Sequence, residues 1–366
     1  MAAIVTEFQT ACFAATIRAV FDNGFGTGAA GMSQEKRRIF VLYTGGTIGM
    51  VQSGRGLRPD AALAEKALLP FSDGLSFDWH ICAPLIDSSA VTLENWRDWL
   101  ALLAEKIPQY DGVLVLHGTD TLAYTANLFA LALHGLDKPL VLTGSQWPFG
   151  APGSDAPRNL ATAAAALRLG LPQCVIAFDG KLFPAVGSSK VSTETADGFA
   201  NLHFGALAQW SETEGRISLR DGLRPSEKPS GGLRAERINP AVSVSCHTLI
   251  PGGSARHIAA ALRQGGADAA ILQSYGHGNA PSDDGFIDAV RSFTSRGGLL
   301  LNISQVPQGC AAAVYAQGDA LRQAGVVGGG KCNLETASVL LTLAAGNAWT
   351  ADRLRAELAA LGLTDA

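Results

Sequence analysis

The sequence predicts an α/β protein of two domains, each a mainly parallel sheet flanked by helices, joined by a linker. Three observations carry this expectation. Short apolar runs alternate with segments of helical period in β-α-β order, as in a parallel sheet with crossover helices. The 366 residues exceed one typical domain, and 47% of them are apolar, enough for a large core. The stretch from Gly215 to Pro240 then breaks the alternation, being rich in Gly, Pro, Arg and Ser, and such texture reads as a linker. The expected division is an N-terminal domain over 37–214, a linker over 215–240 and a C-terminal domain over 241–366.

The elements follow in order. Residues 1–36 read as an extension outside the fold: Asn23 to Gly31 is Gly/Ala-rich, and Met32 offers a second plausible start. RIFVLY at 38–43 reads as a buried strand, and FDWHICAPL at 77–85 as another, followed by a helix from Leu93 to Glu105. GVLVLH (112–117) is a strand that leads into a helix over Asp120–His134. PLVLTG (139–144) leads into a helix over Ala156–Leu169, and QCVIAF (173–178) closes this series. After the linker come strands at 241–249, 267–276 and 298–304, with helices starting at Ser254 and Asp283 between them. Two helices close the chain, over 333–345 and 350–364. In open α/β sheets ligands sit beyond the carboxyl ends of the strands, so the turns after strands are where chemistry is expected.

Composition narrows the function classes. The net charge is −4 with no long basic run, which argues against nucleic acid or an anionic membrane as partner. No stretch approaches the roughly 20 apolar residues of a membrane span. The N-terminus lacks a basic n-region, and Glu7 and Arg18 interrupt its apolar residues, so no signal peptide is read. The six cysteines are scattered without a CxxC pair, as suits reduced thiols in a cytoplasmic protein. No HExxH or Cys/His cluster points to a metal, and no cofactor is implied.

Five short motifs carry polar chemistry. Tyr43-Thr44-Gly45-Gly46-Thr47-Ile48-Gly49-Met50 sets a hydroxyl on a paired-glycine turn after a strand. Such a turn allows close approach of a ligand, and threonine is a nucleophile when something activates it. The competing reading is a plain tight turn. His117-Gly118-Thr119-Asp120-Thr121 packs a carboxylate and hydroxyls into the turn before a helix, where Thr119 or Asp120 would also serve as an N-cap. His117 has no GxSxG elbow to serve and reads as structural. Asp87-Ser88-Ser89 and Thr143-Gly144-Ser145-Gln146 follow two further strands, and Lys190 stands between serines in GSSKVST. Taken singly, the first is a polar turn and the last a surface lysine.

Together these motifs resemble the bacterial-type L-asparaginase family, in its cytosolic type I branch. YTGGTIGM and LHGTDTLAYTA match the family's two signatures, and DSS, LTGSQ, SSKVSTETADGF and QSYGHGNAP follow in the right order over about 38–350. The resemblance implies hydrolysis of L-asparagine to L-aspartate and ammonia, with Thr47 as nucleophile and Thr119, Asp120 and Lys190 as a second catalytic set. It implies that Ser88 and Asp120 hold the substrate's α-carboxylate and α-ammonium groups. Gly45 and Gly46 shape the first turn, and Gly144 and Ser145 lie beside the side-chain amide. Asn279 is contributed by a neighbouring subunit of a homodimer or homotetramer. Glutamine would be a minor substrate.

Four positions, in three places, depart from the family pattern. The loop after the first motif normally carries a tyrosine that helps activate the nucleophile, and Leu57 stands there. Ala90 replaces an aspartate after DSS. Gln273 and Val306 replace an arginine and a cysteine expected at an allosteric substrate site. Two other functions are compatible with the motifs. One is the amidase subunit of a tRNA-dependent amidotransferase, which usually has a longer N-terminal domain. The other is a catalytically weak amino-acid-binding sensor, suggested by Leu57.

Overall fold

A computed structural model describes residues 35–365, apart from 54–55, 212–213, 215, 223–228, 230 and 313–315. The expected extension therefore lies outside the described residues as far as residue 34. The fold is two α/β units. The larger is built on an eight-stranded sheet whose order across the sheet is Arg216–Leu219, Ala208–Ser211, Lys181–Pro184, Cys174–Phe178, Leu140–Thr143, Gly112–Leu116, Arg37–Tyr43 and Leu75–Ile81. The last five of these are mutually parallel and the first three join by antiparallel pairing.

Side-chain alternation explains the layers. Along Arg37–Tyr43, Phe40 and Leu42 point to one face and Ile39, Val41 and Tyr43 to the other. The first face packs on helices Leu93–Lys106 and Leu122–Ala132, the second on Ala61–Leu68 and Ala156–Leu169. Strands covered on both faces read as continuous apolar runs, which is why they stand out in the sequence. Helix Leu93–Lys106 starts where a capping box, Thr92 with Asn95, satisfies its free N–H groups.

The smaller unit has four parallel strands in the order Val244–Thr248, Ala269–Ser274, Leu299–Ser304, Val327–Gly328. Helices Ser254–Gln264 and Asp284–Ser295 cover one face. Helix Leu334–Gly346 on the other face is buried in the same apolar cluster as Leu93–Lys106 and Leu122–Ala132. The two units thus share one core on that side.

Several elements differ from the sequence reading. The helix expected over Asp120–His134 spans Leu122–Ala132, because Leu133–His134 turns out to pair with Arg234–Ala235. The strand expected over 77–85 spans Leu75–Ile81; Pro84, which lacks an N–H, falls just beyond its end. The segment read as a linker contains Arg216–Leu219, the edge strand of the large sheet, as well as Arg234–Ala235. Met50–Ser53 and Gly56–Pro59 form an antiparallel hairpin where a loop was expected. No helix among the described residues is long and apolar enough to cross a membrane.

Candidate active site

The carboxyl ends of Arg37–Tyr43, Gly112–Leu116 and Leu140–Thr143 are tied together just before their polar turns. Thr44 N and Oγ1 both donate to Leu116 O, at 3.0 and 3.1 Å, and His117 N donates to Thr143 O at 2.9 Å. This brings the TGGT, HGTDT and TGSQ turns to one edge. Ile86 N donates to Thr44 O at 2.8 Å, which adds the DSS turn.

Close backbone approach then fixes the turns against each other. Gly45 and Gly46 have φ of 135° and 101°, a region L side chains avoid. A Cβ on Gly46 would stand 2.5 Å from Gly118 N, and one on Gly118 would stand 2.5 Å from Ser88 Oγ. Thr47 opens the short 3-10 turn Thr47–Gly49 directly after this contact. Among the described residues its hydroxyl has no hydrogen-bond partner, so its proton and lone pairs are free for a ligand. The loop after Gly144 closes the other side, where Phe149 N donates to Ile48 O at 3.3 Å.

Lys190 is the hub. Its Nζ donates to Thr119 Oγ1 at 2.8 Å and to Asp120 Oδ1 at 2.7 Å. The lysine side chain is only 16% exposed whereas that of Asp120 is 58% exposed, so the carboxylate keeps a face open to an incoming cation. Thr119 Oγ1 in turn donates to Gln146 Oε1 at 3.4 Å. The orientation of Gln146 is set by its own amide, which donates to Ser192 O at 2.7 Å. The Thr119 hydroxyl therefore receives from Lys190 and gives toward Gln146. Ser88 Oγ accepts from Asp120 N at 3.3 Å, and Thr121 Oγ1 donates to Ser88 O at 2.7 Å.

A buried frame holds the TGSQ turn. Asp155 accepts from Gln146 N, Trp147 N and Asn159 Nδ2 at 2.9–3.1 Å, and Asn159 Nδ2 also donates to Gly144 O. Ser145 is buried and its Oγ donates to Trp147 O at 2.6 Å, so this hydroxyl is occupied within its own turn.

His117 is fully buried. Its Nδ1 sits 2.7 Å from Gly118 O, so it carries the proton there, and Nε2 accepts from Thr125 Oγ1 at 3.1 Å. Thr125 Oγ1 accepts in turn from Trp96 Nε1. Burial pulls the imidazole pKa down to about 4, partly offset by the Gly118 carbonyl. A neutral ring with both nitrogens used is a structural group, as the missing elbow motif implied.

The structure thus brings Gly46, Thr47, Ser88, Thr119, Asp120 and Lys190 to one edge and places Ser145 in the neighbouring turn. Asn279 lies apart, on a turn of the smaller unit bridged to Tyr275. Leu57 stands opposite Gln52 in the hairpin that follows Thr47–Gly49. Ala90 ends the short turn Ser88–Ala90, whose N-cap Asp87 is held below the usual carboxylate range by hydrogen bonds from Ser89. Gln273 and Val306 are near one another: Gln305, next to Val306, donates to Gln273 O at 2.9 Å. Sequence reasoning gave no role to Gln146, whose partners are 27 and 46 residues away.

Residues 38–222 match the family described as Asparaginase, N-terminal, and residues 243–358 match the Glutaminase/Asparaginase C-terminal domain. L-asparaginase 1 of Escherichia coli (strain K12) is 34% identical over an alignment of 309 residues that covers 82% of this chain and 89% of that protein. The crystal structure of L-asparaginase I from Vibrio cholerae O1 biovar eltor superimposes with a TM-score of 0.77 at 30% identity, covering 88% of this chain and 97% of the other. That of the probable cytoplasmic L-asparaginase from Campylobacter jejuni superimposes at 0.73 and 25% identity, covering 88% and 99%. Matched in both halves and nearly end to end by solved relatives, the chain belongs to the asparaginase family.

Proposed function

We propose that this chain hydrolyses L-asparagine to L-aspartate and ammonia through an acyl-enzyme on Thr47. The observation that carries this reading is the Lys190–Thr119–Asp120 cluster, set across the Gly46–Gly118 contact from a threonine with a free hydroxyl. Asp120, with its exposed carboxylate, receives the α-ammonium group, and Ser88 donates to the α-carboxylate. Thr47 Oγ1 attacks the side-chain amide carbon while its proton is relayed through Thr119 and Lys190 to the amide nitrogen, so that the C–N bond breaks and ammonia leaves. Water then adds to the resulting ester, its proton returns by the same relay to Thr47 Oγ1 as the ester C–O bond breaks, and aspartate is released with the Thr47 hydroxyl restored. Gly144 and Ser145 line the side-chain end of the substrate. No cofactor enters.

Glutamine is a weak substrate in this reading. Its extra methylene shifts discrimination by about 1–3 kcal/mol. The active form is a homodimer or homotetramer in which Asn279 completes a neighbouring copy's site, and the protein works in the cytoplasm, as the probable cytoplasmic L-asparaginase of Campylobacter jejuni is described to do. The catalytic unit is residues 37–214 together with the edge strand Arg216–Leu219, and the smaller unit is 241–366. One observation favours a second reading: Leu57 in the hairpin opposite Gln52 leaves that position without a phenol, which suits a sensor that binds but does not turn over. Ammonia release from asparagine, glutamine and β-aspartyl peptides, run beside aspartate binding on the same pure protein, separates the two. Turnover of asparagine supports the hydrolase, and binding without turnover supports the sensor.

A further inference from the structure

The strand that carries Lys190 lies outside the large sheet of its own unit. Ser188–Lys190 has one neighbour, Phe199–Asn201, in a two-stranded ribbon, and such a pair is marginal alone. Its other side is held by the smaller unit, at the start of helix Leu334–Gly346. Asn333 Nδ2 donates to Ser188 O at 2.9 Å and to Ser189 Oγ at 2.8 Å. Ser189 Oγ donates to Glu335 Oε2 at 2.8 Å. Gly187 N donates to Thr336 Oγ1 at 3.0 Å, and Thr336 Oγ1 donates to Asn127 Oδ1 at 2.6 Å.

We propose that Glu335 is a positioning residue for Lys190, acting through Ser189. This rests on the reading of Lys190 as part of the proton-transfer set. The Ser189 hydroxyl gives its one proton to Glu335 and accepts from Asn333, so its rotation is fixed. Successive side chains leave a strand on opposite faces. Anchoring Ser189 on one face therefore fixes the other face, from which Lys190 reaches Thr119 and Asp120. A glutamate in the first turn of a helix stabilises the helix by itself, but it can do so from solvent. Glu335 instead is half-buried against Tyr124 and Cys332, and desolvation raises its pKa. Burying a carboxyl is unfavourable without hydrogen bonds; Glu335 accepts one from its own backbone N–H and one from Ser189, the neighbour of Lys190.

The test is steady-state kinetics on asparagine for the full chain and for Glu335→Ala, Glu335→Gln, Ser189→Ala and Lys190→Met. A loosened catalytic group costs turnover more than binding. Glu335→Ala should lower kcat about tenfold with KM changed by less than about twofold. Glu335→Gln, whose amide oxygen still accepts from Ser189, should recover most of that loss. Ser189→Ala should resemble Glu335→Ala, and it is the variant to read if the latter does not fold. A wild-type kcat in Glu335→Ala or Ser189→Ala, even with a lowered Tm, would leave only a helix-capping role and overturn the proposal. No recovery in Glu335→Gln would do the same. Lys190→Met sorts the two levels, because a near wild-type rate there removes the underlying reading instead.

Discussion

At the scale of single residues, the position that most separates this chain from its family's pattern is Leu57. Leucine cannot donate, accept or relay a proton, and Thr47 is a weak nucleophile without activation. The wild-type enzyme should therefore be slow on asparagine, with the deficit in kcat and not in substrate binding. Leu57→Tyr should raise kcat by about tenfold or more, the usual worth of a positioned proton-transfer group. Steady-state kinetics on both proteins checks this, and a fast wild type with a neutral or harmful tyrosine would show that another group activates Thr47. That the turns bearing Thr47, Thr119 and Asp120 meet at one edge was legible because each follows a parallel strand, although each motif alone also reads as a plain turn or an N-cap. Lys190 was legible only through the order of motifs, since a lysine between serines looks like any surface lysine. Gln146, Asn333 and Glu335 were not legible as site groups. Asn333 is the N-cap of its helix, and its contact with Ser189 spans 144 residues.

At the scale of elements, several parallel strands could be read because they carry buried apolar runs, as in Arg37–Tyr43, Gly112–Leu116 and Cys174–Phe178. Ser188–Lys190, Phe199–Asn201 and Val327–Gly328 could not, since two or three residues carry no period and their partners are remote. The helix Leu122–Ala132 carries a further consequence through His117, whose neutral ring is locked between Gly118 O and Thr125. Its pKa is about 4 in the fold and about 6.5 when unfolded. The unfolded chain then binds the extra proton first, so the stabilisation present above pH 6.5 is lost as pH falls toward 4, by about 1.4 kcal/mol per unit in that window. Urea unfolding of wild type and His117→Gln at pH 7, 6 and 5 checks the sign. The wild type should lose stability more steeply than the variant, and parallel profiles would contradict the assignment.

At the scale of the whole molecule, the two units share a core, and the smaller one supports the Lys190 strand from behind. Asn279 sits on a turn of the smaller unit bridged to Tyr275, and in the proposed function it serves a neighbouring copy. Thermal stability and specific activity should then depend on protein concentration, and a fully active monomer on sizing at micromolar concentration would contradict this. The central claim is that a threonine on the first glycine turn does the chemistry. It is tested most directly by ammonia release from L-asparagine in wild type and Thr47→Ala, with L-aspartate binding measured on both. The account predicts turnover falling below a few per cent of wild type, roughly the 10²-fold loss or more expected for a nucleophile, while the fold and aspartate binding persist. A Thr47→Ala protein that still turns over near the wild-type rate would contradict it and make Thr119 the nucleophile to examine.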